Sequence, residues 1–121
     1  MLIKPPDKKF RKELNAGTAA LVLLGILERR GEPMYGYQLA KIISPAGGPA
    51  PMMKQGALYP VLRSLERDGL LESTVETSVS GPPRRYYSIT AAGRETLARW
   101  IEMWKGSRDF VDSILRGVHD E

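Results

Sequence analysis

Gln55, Tyr59, Arg63 and Arg67 recur every four residues, with Ser64 beside them, and each bears groups that hydrogen-bond to nucleic acid. Glutamine and arginine can bind base edges through two hydrogen bonds at once, while tyrosine and serine hydroxyls serve bases or phosphates alike. A spacing of four keeps such side chains near one another along a helix. Leu58, Val61, Leu62 and Leu65 supply an apolar face for the same segment, which reads as a helix over about 56–68 closed by Gly69. Pro60 fits such a helix if it falls within the first turn or so. A second basic feature follows: Arg84 and Arg85 stand directly after Gly81-Pro82-Pro83, at or near the tip of a loop. An exposed pair of arginines can touch phosphates or enter a minor groove. Taken singly, either feature also reads as an ordinary solvated surface.

Other chemistries lack their residues. There is no cysteine, which excludes disulfides, thiolate metal sites and a cysteine nucleophile. The single histidine, His119, stands near the end of the chain, where a solvated tail residue is expected. Asp109 and Asp112 lie three apart and read as solvated charge rather than a catalytic pair. Gly47-Gly48 runs into Pro49 and has no lysine-serine partner, so it is no phosphate-cradling loop. The sequence therefore argues against an enzyme, a metal site and a cofactor. A net charge of +4 suits a polyanionic partner but does not demand one.

The elements that must position these groups follow from pattern and punctuation. A chain of 121 residues suits one core. Lys4, Lys8, Lys9, Arg11 and Lys12 surround Pro5 and Pro6 in a basic start, read as a short helix over 7–14 or a mobile arm. Leu21, Leu23, Leu24 and Leu27 give a broad apolar face to a helix over 18–30, stopped by Gly31. Pro33 and Gly36 mark a turn before a second helix over 37–43, and the proline- and glycine-rich stretch 45–51 can be neither helix nor central strand. Beyond Gly69, residues 70–76 and 85–89 are β-prone and read as a two-stranded hairpin. Thr90 is a plausible N-cap for a last helix running to about Val118. On it Leu97, Ile101, Trp104, Arg108, Val111, Leu115 and Val118 form a heptad seam, widened by Trp100, Met103, Phe110 and Ile114. Gly106 is a candidate kink.

Three helices followed by a hairpin is the order of a winged helix, whose third helix enters the major groove of double-stranded DNA. The expected fold is mainly α with a small β-hairpin: a winged helix-turn-helix over 1–89 and a long C-terminal dimerisation helix over 90–121. The longest apolar run, Ala19 to Leu27, is too short to span a bilayer. No membrane partner and a cytoplasmic location are expected.

Four segments carry a more specific signal: Met34-Tyr35-Gly36-Tyr37-Gln38-Leu39, Gly56-Ala57-Leu58-Tyr59-Pro60-Val61-Leu62, Leu65-Glu66-Arg67-Asp68-Gly69-Leu70-Leu71 and Arg85-Tyr86-Tyr87-Ser88-Ile89-Thr90-Ala91-Ala92-Gly93. In this order and spacing they resemble the PadR family of bacterial transcriptional regulators, over about Leu21 to Trp104. The resemblance implies a homodimer that binds a palindromic operator and usually represses. It assigns Gln55, Tyr59, Pro60 and Arg63 to the groove helix, Arg84 and Arg85 to the basic wing, and the last helix to dimerisation. Ala57 departs from the usual Ser or Thr, so a hydroxyl contact there is not carried over.

Trp100 and Trp104, four apart, lie on one side of the last helix. Relatives with a short single C-terminal helix can bind flat aromatic or phenolic compounds near the dimer interface, and Trp104 matches the position lining that pore. The same two side chains can instead simply pack a dimer core. The competing function is a winged helix used for protein–protein contact without DNA. The amide and basic character of the third helix and wing favours DNA, tempered by Glu66, Asp68, Glu72 and Glu76.

Overall fold

The computed structural model describes residues 4–43 and 55–118. The stretch 45–51 and His119 lie outside the described residues. Four helices and three short strands follow in the order α1 (Pro5–Arg30), β1 (Met34–Tyr35), α2 (Gly36–Ile43), α3 (Gln55–Arg67), β2 (Leu71–Glu76), β3 (Arg84–Ile89) and α4 (Ala91–Leu115). The strands form an antiparallel sheet in the order β1-β3-β2, with Leu71 opposite Ile89 and Met34 opposite Tyr87.

Two sequence expectations are corrected. The basic start and the first apolar helix are one continuous helix of 26 residues, with no break at Asn15-Ala16-Gly17. Pro5 and Pro6 occupy its first turn, where the missing N–H groups cost nothing. Once started, a helix gains one hydrogen bond per added residue, which offsets the penalty of about 1 kcal/mol for an interior glycine. The hairpin has a third strand: Met34 and Tyr35, read as part of a turn, pair with β3. Two residues are too few to show alternation, so only the pairing reveals them.

The core sits where α1, α2, α3 and the sheet meet. Leu23 and Leu24 of α1, Met34, Leu39 of α2, and Leu58 and Leu62 of α3 are fully buried. Helix ends are closed as the sequence anticipates. Gly31 and Gly69 adopt left-handed conformations, and Leu70 N–H reaches back to the Leu65 carbonyl at 2.9 Å. Thr90 caps α4, accepting from Gly93 N–H at 2.9 Å while its hydroxyl donates to the Gly69 carbonyl at 2.7 Å. The end of β3, the end of α3 and the start of α4 are therefore joined at one residue. Gly93 fits closely here, because a Cβ at that position would overlap the Leu70 carbonyl and approach Ile89 Cγ1 to 2.7 Å. Helix α4 runs unbroken through Gly106. No helix among the described residues is long and apolar enough to cross a membrane.

Candidate nucleic-acid interface

Helix α3 divides as its spacing predicts. Leu58, Leu62 and Leu65 are buried and Val61 packs against them, whereas Gly56, Ala57, Pro60, Arg63 and Arg67 are exposed. Gln55 is the first residue of the helix. Pro60 stands beyond the first turn, where its ring nitrogen cannot donate to the Gly56 carbonyl; Gly56 is exposed, so water can take that place.

Tyr59 departs from the stripe. It is half-buried and packs against the hydrophobic core, with its ring laid over Gly36 at the start of α2. A Cβ on Gly36 would lie 2.6 Å from Tyr59 Cε1 and 2.7 Å from its hydroxyl oxygen. The cause is geometric. Steps of four advance about 400° around a helix of 3.6 residues per turn, so the row drifts about 40° per step and Tyr59 lies nearer the buried face than Arg63 and Arg67 do.

The wing brings its own basic groups to the same place. Successive residues of β3 face opposite sides of the sheet. Arg85 shares a side with buried Tyr87 and Ile89, and its Nη1 donates to Ser73 Oγ at 2.9 Å. That hydroxyl donates to Glu66 Oε2 of α3 at 2.7 Å, so Glu66 is engaged within the fold. Arg84 lies on the other side, its guanidinium carbon 4.6 Å from the centre of the Tyr35 ring. Both arginines are the first residues of β3, where Arg84 pairs with Glu76 at the base of the loop 77–83 and not at its tip.

Arg63 from α3 and Arg84 and Arg85 from the wing line one open cleft of about 580 Å³, together with Tyr35, Tyr37 and Tyr59. Residues from three separate segments thus converge beside the exposed face of α3. Pro60 and Arg67 do not line it. The buried phenol of Tyr87 forms part of the wall. Burial holds its pKa above the ordinary tyrosine value; Arg85 and Arg63 oppose that rise, and Glu66 and Tyr59 add to it.

Sequence reasoning missed the aromatic wall of this cleft. Tyr35 meets Tyr86 edge-on at 5.4 Å and stacks with Tyr37 at 6.4 Å, and Lys41 lies 5.4 Å from the Tyr37 ring centre. The available signal was the Tyr-Gly-Tyr triplet, two aromatic residues flanking a small one at a helix start.

Along α4 the seam residues divide. Leu97 is buried in the chain's own core, so this conformation leaves it nothing to offer a partner. Ile101, Trp104, Val111, Leu115 and Val118 are exposed, as are Met103, Phe110 and Ile114. Arg108 interrupts the seam and pairs with Asp109 at 3.0 Å, and Asp112 is exposed. Trp100 is half-buried against the core. It lines an open cleft of about 470 Å³ with Trp104 and Met103 of α4 and Leu14, Thr18 and Leu21 of α1.

A wing packed beside a third helix with an exposed basic face defines a winged-helix protein of the DNA-binding class. Residues 23–99 match the transcriptional regulator PadR-like family, and the chain belongs to that family. Among solved structures it is similar to a PadR family transcriptional regulator from Eggerthella lenta, at 35% identity over 87% of this chain and 88% of that one, with a TM-score of 0.74. A PadR-like transcriptional regulator from Bacillus cereus is similar at 30% identity over 87% of this chain and 98% of that one, with a TM-score of 0.70. No match was found among curated protein sequences.

Proposed function

We propose that this chain is a homodimeric repressor that reads a palindromic operator with α3 and grips the flanking backbone with its wing. Gln55, Pro60, Arg63 and Arg67 face the groove, Tyr59 shapes its edge, and Arg84 and Arg85 belong to the wing. The observation that carries the reading is the convergence of Arg63, Arg84 and Arg85 on one open cleft beside the exposed face of α3. Glu66 also lines the cleft and is linked to Arg85 through Ser73, and three guanidiniums against one carboxylate leave a positive surface that suits a phosphate backbone.

Residues 90–121 supply the dimer contact in this reading, with α1 contributing. Support comes from exposed apolar side chains on both helices, Phe10 and Leu14 on α1 and Ile101 to Leu115 on α4, with Val118 just beyond it. A soluble monomer rarely leaves so large a contiguous apolar surface bare. A two-fold partner covers it and sets two groove helices about 34 Å apart, one DNA turn. The Trp100–Trp104 cleft is the proposed site for a flat aromatic or phenolic effector, and the protein acts in the cytoplasm, on DNA.

The test is a fluorescence-anisotropy titration against the intergenic DNA upstream of the protein's own gene, with a scrambled duplex alongside, at two salt concentrations. Tighter binding to the native duplex, weakened by salt, is expected. Equal, weak and salt-insensitive binding to both would favour the protein–protein reading. For the effector, quenching of tryptophan fluorescence by planar aromatics should vanish in Trp104→Ala; quenching that survives would remove the site.

A further inference from the structure

The two neighbouring arginines of the wing have different surroundings. Arg85 donates from Nη1 to Ser73, whose hydroxyl donates to the carboxylate of Glu66, with both hydrogen bonds under 3 Å, so its guanidinium is tethered within the fold. Arg84 lies over the ring of Tyr35, and among the described residues no carboxylate forms an ion pair with it. A ring face attracts a guanidinium without neutralising it. Glu76 stands opposite Arg84 in the sheet register but forms no ion pair with it, so the guanidinium stays free to meet an anion.

The platform beneath Arg84 is itself held in place. Tyr35 sits opposite Tyr86 in the sheet register and meets its ring edge-on. Its backbone N–H donates to Gln38 Oε1 at 3.0 Å, fixing it to the first turn of α2, and the Tyr37 ring stacks with it. An arginine resting on a fixed ring gives up less rotamer freedom on binding than one waving in solvent.

We propose that Arg84 makes the wing's contact with a DNA phosphate, that Tyr35 is the positioning residue for its guanidinium, and that Arg85 is a strut tying the wing to α3. This rests on the DNA-binding reading above and divides the work within it. To swing outward to a phosphate with Nη1, Arg85 would have to give up its hydrogen bond to Ser73 and with it the link to Glu66. Arg84 needs only to keep its place.

The experiment measures the affinity of the full chain for the upstream duplex across a salt series, using Arg84→Ala, Arg85→Ala, Tyr35→Leu, Tyr35→Phe and the Tyr35→Leu/Arg84→Ala pair. Arg84→Ala should weaken binding about tenfold at low salt and reduce the salt slope by about one. Arg85→Ala should reduce that slope by less than Arg84→Ala does. Tyr35→Leu should weaken binding about threefold, and this loss should disappear in the Arg84→Ala background. Tyr35→Phe, which keeps the ring, should bind as the unaltered protein does. A slope that falls with Arg85→Ala but not with Arg84→Ala overturns the assignment, and so do losses from Tyr35→Leu and Arg84→Ala that simply add. Absence of salt-dependent binding by the unaltered protein would overturn the DNA-binding reading itself, and is seen before any variant is made.

Discussion

Replacing Thr90 by valine removes one hydroxyl while keeping the branched shape of the side chain. That hydroxyl accepts from Gly93 N–H at 2.9 Å and donates to the Gly69 carbonyl at 2.7 Å. The first bond is an N-cap, whose loss costs about 1 kcal/mol. Gly93 is buried, so its amide is left without a ready water partner, which places the cost toward the upper part of the usual range. The second bond contributes about 0.5 kcal/mol, the low end for a neutral pair, because Gly69 is exposed and water can replace the hydroxyl. Together they give about 2 kcal/mol, and for a chain of this length that lowers Tm by about 6–10 °C. Thermal and urea denaturation at matched protein concentration would measure it, since self-association makes Tm depend on concentration. Thr90→Ser keeps both hydrogen bonds and should stay within about 0.5 kcal/mol of the unaltered protein, as a substitution that breaks no named interaction does. A loss below about 0.5 kcal/mol for Thr90→Val, or an equal loss for Thr90→Ser, would refute the view that this hydroxyl joins wing, α3 and α4.

Gly36→Ala puts a methyl group against the Tyr59 ring and should cost about 1–2 kcal/mol as the ring is displaced; in a Tyr59→Ala background the cost should vanish, which paired urea melts would show. Tyr87 is expected to make folding sensitive to alkali. Its folded pKa is raised, so the stability it contributes is fully present below the unfolded value of about 10 and is lost as pH rises through the folded value. Urea midpoints measured from about pH 9 to about pH 11 should therefore fall further for the unaltered protein than for Tyr87→Phe, and equal falls would count against it. Ile114→Glu places a charge on the exposed apolar face of α4 and should shift sedimentation toward the monomer with little change in secondary structure, whereas an unchanged assembly would move the proposed interface elsewhere.

The helices were legible because each carries a long apolar period and clear stops. Leu58, Leu62 and Leu65 declared the inner face of α3, Gly31 and Gly69 closed their helices, and Thr90 opened α4. The boundary error at the start of α1 arose because Asn15-Ala16-Gly17 looks like punctuation locally. Local signals cannot register the cooperative gain of extending a helix already formed. The arginines of α3 and the wing were equally visible as residue types, but not what each one touches.

By itself the sequence determined the order of the helices and the hairpin, the inner face of α3 and the groups available to meet a nucleic acid. These depend on periodicity and residue type, which are local properties. The tertiary structure alone decided that Met34 and Tyr35 become a strand, that Tyr59 turns inward over Gly36, and that Leu97 belongs to the chain's own core. It also decided that Arg84 rests on a ring while Arg85 is tied toward a carboxylate. Each of these depends on segments distant in the sequence arriving at one place. Two adjacent residues of the same type can then have opposite surroundings, because neighbours in a strand point to opposite faces.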